Sequence, residues 1–230
     1  MELSPRLRLA AELVPRGARF ADIGTDHAYL PVWLIRNGVI EKAIAADLRP
    51  GPLERARETA EKYAVADRMD FRLCDGLTGL RPGEADAIAI AGMGGETIVH
   101  ILAAAPWTRE QEITLILQPM SSQPDLRQWL SVNGYTIEQE HIARDGKTLY
   151  TIFLVRAGEM GPLTPAELWA GRQSRDRLRG EFLDHMAAKA RRALEGQRAA
   201  AKKEEAAIAR LTGILNGLTE MKKEWDAWQQ

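Results

Sequence analysis

Phe20-Ala21-Asp22-Ile23-Gly24-Thr25-Asp26-His27-Ala28-Tyr29-Leu30-Pro31 reads as a buried strand that passes through a glycine turn into a helix. The acidic Asp47 closes the next β-rich run, about 20 residues further on, the spacing at which an α/β protein grips a nucleoside cofactor. The turn keeps only Gly24 of a G-x-G-x-x-G series, with Asp26 at the second glycine position and Tyr29 at the third, and no Lys or Arg falls between Phe20 and Ile35. A pyrophosphate needs close backbone approach and a positive field at the helix start. A carboxylate there suits a ligand with cationic ammonium and sulfonium groups. S-adenosylmethionine is such a ligand and is the cofactor these residues predict.

Outward from this segment, short apolar runs alternate with helical patterns. Arg19 to Ile23, Ala43 to Asp47, Asp70 to Leu73, Ala87 to Ala91 and Ile113 to Leu117 read as strands, which implies a parallel sheet. Pro31 in an opening turn, Asn37-Gly38 at a stop, Pro52 before Leu53 to Tyr63 and Gly134 after Asp125 to Asn133 punctuate the helices. Beyond Gly134, Thr136 to Ile142 and Thr148 to Val155 are β-rich and joined by Arg144-Asp145-Gly146-Lys147, an antiparallel hairpin signal. The fold class is α/β, a Rossmann-like sheet that is mostly parallel with an antiparallel terminal hairpin, as class I methyltransferases look.

Gly158 to Pro165 carries two glycines and two prolines, so a boundary is expected there, with a sheet domain over 1–160 and a helical extension over 161–230. Ile208, Leu211, Leu215, Leu218 and Trp225 make one helical stripe, and Leu178, Phe182 and Met186 a shorter one. Two antiparallel, coiled-coil-like helices are expected, with their turn within 196–204.

The 230 residues, 45% hydrophobic and 27% charged, suffice for one full core and an appended element. The lone Cys74 makes no internal disulfide and belongs to no metal-ligand pattern, so a cytoplasmic protein without a metal is expected. No window approaches the ~20 apolar residues of a membrane span, and a monomer is expected. The net charge of −1 hides an asymmetry: Arg172 to Lys203 holds ten basic residues against four acidic, a local excess suited to a phosphate backbone.

Four loops after successive strands are expected to converge on the carboxyl edge of the sheet: Asp22 to Tyr29, Asp47 to Pro52, Cys74 to Leu77 and Ala91 to Glu96. Asp22, Gly24, Thr25 and Asp26 form the first cradle. Asp47 suits two ribose hydroxyls, its ordinary alternative being a helix N-cap. Asp75 suits an adenine amine, with Gly76 leaving the ring room, although Asp-Gly is also a common turn. Gly92, Gly94 and Gly95 clear side chains from where a ligand or substrate approaches, and Met93 offers a soft contact, though a core methionine is commoner. Asp26 and His27 are the ionisable groups nearest the expected sulfonium, with His27 equally suited to a structural role.

With these residues in view, the chain resembles the bacterial tRNA adenine-22 N1-methyltransferases, class I S-adenosylmethionine enzymes with a C-terminal helical extension. The resemblance covers almost the whole chain and rests on Leu3-Ser4-Pro5-Arg6-Leu7, Asp22 to Pro31, Ile90-Ala91-Gly92-Met93-Gly94-Gly95, Gln118-Pro119, and Gly146-Lys147 followed by Tyr150. It implies methyl transfer to N1 of an adenosine in the tRNA D-loop region. It places Asp26 and His27 at the reacting centre, and Gly94, Gly95, Gln118 and Pro119 around the base. Arg6, Arg8, Arg172, Arg191 and Arg192 are expected on tRNA phosphates. The alanine-rich tail departs from a confident match. The competing readings are a methyltransferase for a small molecule or protein, a nicotinamide-dependent oxidoreductase, and a non-catalytic recruiting module.

Overall fold

The computed structural model describes residues 1–110, 112–200 and 204–229. Seven strands form one sheet in the order β3-β2-β1-β4-β5-β7-β6. β1 (Phe20–Ile23), β2 (Ala43–Asp47), β3 (Met69–Leu73), β4 (Ala87–Gly94) and β5 (Thr114–Ser121) run parallel. β6 (Tyr135–Asp145) and β7 (Thr148–Ala157) form the antiparallel hairpin, with β7 against β5. Every residue of β1 and β2 is buried, as in strands covered on both faces. α1 (Pro5–Glu12), α2 (Tyr29–Arg36) and α3 (Pro50–Lys62) cover one face, and α4 (Gly95–Ala103) and α5 (Gln123–Val132) the other. The chain steps outward from β1 to β3 and returns to lay β4 beside β1. That reversal opens a crevice at the carboxyl ends of β1 and β4.

The expected strands and hairpin are present, with shifted ends. The last hairpin pair is Asp145 with Thr148, leaving Gly146-Lys147 as a two-residue loop with Gly146 at φ +58°, where glycine is at no disadvantage. The glycine run after Ala91 is not a loop: β4 continues through Gly94 and Gly95 opens α4. α3 starts at Pro50, before the expected Pro52. α1 escaped the sequence reading because Pro5 and Pro15 look like breakers, whereas Pro5 sits in the first turn, where its fixed φ and missing N–H are harmless.

The extension comprises the short α6 (Pro165–Ala170), α7 (Arg179–Ala199) and α8 (Glu205–Trp228). α6 starts with a capping box between Thr164 and Glu167. α7 and α8 run antiparallel, since Gly180 lies against the Trp225 ring and Asp184 is 3.9 Å from Lys222, while Leu194 and Leu211 share the cluster near the other end. The expected stripes do face this seam, joined by Leu183, Ala190, Ile214 and Met221. α7 ends at Ala199 and α8 begins at Glu205, and residues 201–203, where the turn is expected, lie outside the described residues.

A buried polar latch joins the extension to the sheet. The fully buried Arg127 of α5 pairs with Glu140 of β6 at 2.7 Å, donates to the Leu168 and Trp169 carbonyls at 2.8 and 3.2 Å, and stacks on Phe153. Arg179, also buried, donates to the Ala170 and Gly171 carbonyls. Two arginines thus satisfy the last carbonyls of α6, the negative end of its dipole. Burial lowers the Arg179 pKa to about 10. Arg179 is therefore not one of the surface cations that the tail's basic count suggested.

Removing one partner of a buried ion pair strands the other charge. Arg127→Met is expected to destabilise the protein by about 3–5 kcal/mol. Urea unfolding followed by circular dichroism checks this, and a loss below ~1 kcal/mol would mean that the pair behaves as an exposed one.

Candidate functional site

The crevice between β1 and β4 holds the first cradle. Gly24 leaves β1 at φ +76°, and a Cβ on it would fall on the Met93 methyl. Gly24 and Thr25 donate their N–H groups to the Ala46 carbonyl at 2.8 and 3.0 Å, which ties the turn to β2. Asp22 is buried at the mouth, and burial pushes its pKa to about 6, with the nearby Asp47 charge adding to the rise. The buried Thr25 side chain lies close enough to the Asp22 carboxyl to oppose part of that rise. A cavity of about 320 Å³ is lined by Asp22, Gly24, Asp26, Tyr29, Asp47, Gly92 and Met93 and also by Arg6 and Arg49, the latter 4.0 Å from Asp47. Adjoining it, a 210 Å³ cleft is lined by Asp47, Leu48, Asp75, Gly76, Met93 and Ile101. Gly24, Asp47, Arg49 and Met93 line both. Asp22, Gly24, Thr25, Asp47, Asp75, Gly76, Gly92 and Met93 therefore gather at one crevice.

Asp47 does not cap α3. Its carboxylate accepts the Arg49 N–H at 2.8 Å, holding the turn after β2. Gly76 is at φ +53°, and a Cβ there would come within 2.8 Å of Ile101. Packing on α4 and the positive φ require that glycine. Burial raises the Cys74 thiol pKa, so this lone cysteine is a weak nucleophile.

The end of β4 differs from expectation. Its register against β5 shifts between Ala91 and Met93 and again before Gly94. Gly95 passes so close to the end of β5 that a Cβ would sit 2.5 Å from the Ser122 carbonyl oxygen, whereas a Cβ on Gly94 would meet only the Ser121 hydroxyl at 3.1 Å. Gly95 is required by the approach of the two segments, and Gly94 is half-buried beside it. Gly92, at φ +79°, is the one with clearance, its nearest neighbour being the Arg6 guanidinium. Gln118 and Pro119 are buried, so neither faces a substrate directly. The Gln118 Oε1 instead accepts from Arg6 at 3.0 Å and from the Gly92 N–H at 3.1 Å. It works from beneath the site. Arg6 also lies 6.0 Å above the Tyr150 ring, whereas Arg8 stacks on Trp33 at 5.1 Å, away from the crevice.

Asp26 is not the uncompensated carboxylate that its neighbours in sequence suggest. Arg55 of α3 donates to it at 2.8 and 3.0 Å, both groups being exposed. Sequence reasoning missed this partner because it lies 29 residues away. His27 and Ala28 both take left-handed backbone angles, φ 63° and 50°, a conformation costly for residues with a Cβ. The His27 ring stacks on Tyr29, with centroids 5.1 Å apart and planes 2° from parallel. In the extension, Arg191 and Arg192 are exposed on α7, and Arg172 donates to the Gly161 carbonyl. These arginines stand apart from the crevice.

A parallel sheet with a switch point beside β1, carboxylates closing β1 and β2, and an antiparallel terminal hairpin define a class I methyltransferase. The residues fit S-adenosylmethionine: the buried Asp22 carboxylate, with no cation paired to it among the described residues, lies with the Thr25 hydroxyl and a glycine cradle. The chain matches the family described as "Methyltransferase domain" over residues 3–153. It is 40% identical to the tRNA (adenine(22)-N(1))-methyltransferase of Bacillus subtilis over 159 residues, covering 69% of this chain and 67% of that protein. The crystal structure of the B. subtilis m1A22 tRNA methyltransferase TrmK superposes with a TM-score of 0.86 at 32% identity, covering 96% of this chain and 99% of the other. Streptococcus pneumoniae Sp1610, solved in complex with S-adenosyl-L-methionine, gives 0.83 at 30% identity, with 96% and 100% covered. The chain belongs to the tRNA (adenine(22)-N1)-methyltransferase family.

The Asp22 carboxyl titrates at about 6 in the folded protein against 3.8 when unfolded. Stability is therefore lost as pH rises between those values, and the full cost, roughly 3 kcal/mol, is present above them. Asp22→Asn is expected to stabilise the apoprotein at neutral pH while weakening S-adenosylhomocysteine binding at least about tenfold, as loss of a charged hydrogen bond does. In the wild type, that affinity is expected to fall as pH drops through 6 and Asp22 takes up its proton. Urea unfolding and calorimetric titration check both effects. Unchanged affinity in the variant would remove Asp22 from the cofactor site.

Proposed function

We propose that this protein transfers a methyl group from S-adenosylmethionine to N1 of adenosine 22 in the D-loop region of tRNA, acting in the cytoplasm. The observation that carries this is the crevice at the switch point, where Asp22 and Asp47 close adjacent strands in a chain belonging to this family. Bound S-adenosylmethionine supplies an activated, electrophilic methyl group. Asp22 would hold the ammonium end, Asp47 the ribose hydroxyls and Asp75 the adenine amine, with Gly24, Thr25, Gly76, Gly92 and Met93 shaping the cradle.

N1 of adenine already carries a lone pair, so the protein must position the base and has no need of a general base. The product is cationic. Asp26, oriented by Arg55 at the rim of the cavity, is the proposed carboxylate near that developing charge, with His27 beside it. Arg55 screens it, so its contribution is modest. Where N1 is engaged within folded tRNA, extruding the base costs a few kcal/mol. We assign residues 1–160 to catalysis and 161–230 to tRNA contact, with the exposed Arg191 and Arg192 and neighbouring basic residues on phosphates. Affinity for tRNA is then expected to fall steeply with salt.

Incubating the protein with methyl-labelled S-adenosylmethionine and unmodified tRNA, then digesting to nucleosides, tests the reading. Label is expected in N1-methyladenosine, and a transcript with guanosine at position 22 should take up none. Label on no nucleoside, with cofactor bound, would refute the tRNA assignment and favour a small-molecule or protein acceptor.

A further inference from the structure

Among the described residues, four of the large apolar side chains left exposed lie along the carboxyl edge of the sheet: Tyr29, Leu48, Leu73 and Met120. Leu48 follows β2 and lines the cleft beside Asp75 and Gly76, and Leu73 ends β3 next to it, so this pair flanks the nucleoside end. Tyr29 and Met120 lie elsewhere. Tyr29 opens α2 directly after β1, while Met120 is near the end of β5. Tyr29 follows β1 and Met120 lies in β5, on either side of the strand that carries Gly92, the one glycine of its run with clearance. They are 42% and 47% exposed, although folding normally hides a ring or thioether beside a cavity.

Both are held in place. Tyr29 lines the cavity with Arg6 and Gly92 and is backed by the coplanar His27 ring. The two left-handed residues before it, His27 and Ala28, carry strain that fixes this presentation, because Ala28 is fully buried and anchors the turn. The Met120 sulfur accepts from the Gln118 amide at 3.4 Å, and the same Gln118 holds Gly92 and Arg6. A flat aromatic face and a polarizable thioether on either side of a bare glycine suit a planar, electron-rich ring.

We propose that Tyr29 and Met120 form a clamp that holds the extruded target adenine over Gly92. This rests on the tRNA reading above. They are positioning residues: the ring stacks on Tyr29, Met120 closes the opposite side, and N1 is thereby held facing the cofactor crevice.

The test is steady-state methylation of tRNA by Tyr29→Ala and Met120→Ala, with Tyr29→Phe and Met120→Leu as conservative partners, at saturating S-adenosylmethionine. S-adenosylhomocysteine affinity and Tm are measured on each. Each alanine variant is expected to lose about 5- to 150-fold in kcat/KM for tRNA, the range that one base stack provides. Phe and Leu should restore it, and S-adenosylhomocysteine affinity should stay unchanged. Wild-type kcat/KM in both alanine variants overturns the clamp, as does a loss matched by equally weakened S-adenosylhomocysteine binding, which would make Tyr29 a cofactor cover. These results leave the tRNA reading standing. A wild-type enzyme that forms no N1-methyladenosine overturns that reading and the clamp with it.

Discussion

The close approach of the chain at the ends of the paired strands β4 and β5 shapes the carboxyl edge of the sheet. Gly95 lies against the Ser122 carbonyl with no room for a side chain, and the register slips twice on the way there. Those slips turn the Gly92 N–H toward Gln118, and the buried Gln118 in turn fixes Arg6 from the N-terminal helix. One buried amide thereby links three segments distant in sequence. Glycine is required at Gly95 by neighbouring backbone, so its absence of a side chain is structural, while Gly92 has clearance on the side of the site.

Charge is distributed to match that geometry. Asp22 and Asp47 are buried within the crevice, whereas Asp26 at its rim is already paired to Arg55. Asp22 is buried with no cation paired to it among the described residues, while Asp47 has the exposed Arg49 guanidinium at 4.0 Å, so the Asp22 end of the crevice is the part poised for a cationic ligand group. On the far side, Arg127 and Arg179 spend their charges on Glu140 and the last carbonyls of α6. Their role is to dock the helical extension, which leaves exposed arginines such as Arg191 and Arg192 for an outside partner.

Features governed by local pattern were legible in the sequence. The buried β1 and β2, the Asp-Gly hairpin and the Asp22, Gly24 and Asp47 positions followed from hydrophobic runs, turn chemistry and spacing, because each depends on neighbours in the chain. Features that depend on distant contacts were not. Arg55 reaches Asp26 from another helix, Gly76 is fixed by Ile101, and Gly95 by Ser122. The buried Arg127 and Arg179 look like any surface cation in sequence. The signal for α1 was present in Leu3, Leu7, Ala10, Ala11 and Val14, but Pro5 masked it.

Calorimetric titration of the wild type and of Asp47→Ala with S-adenosylhomocysteine, and of the wild type with a nicotinamide dinucleotide, tests whether the β1–β4 crevice is built for an adenosyl amino acid. One S-adenosylhomocysteine is expected per wild-type chain, with at least about tenfold weaker binding in Asp47→Ala from loss of its charged hydrogen bonds, and no heat from the dinucleotide. Wild-type affinity in Asp47→Ala, or saturable dinucleotide binding, would contradict that reading.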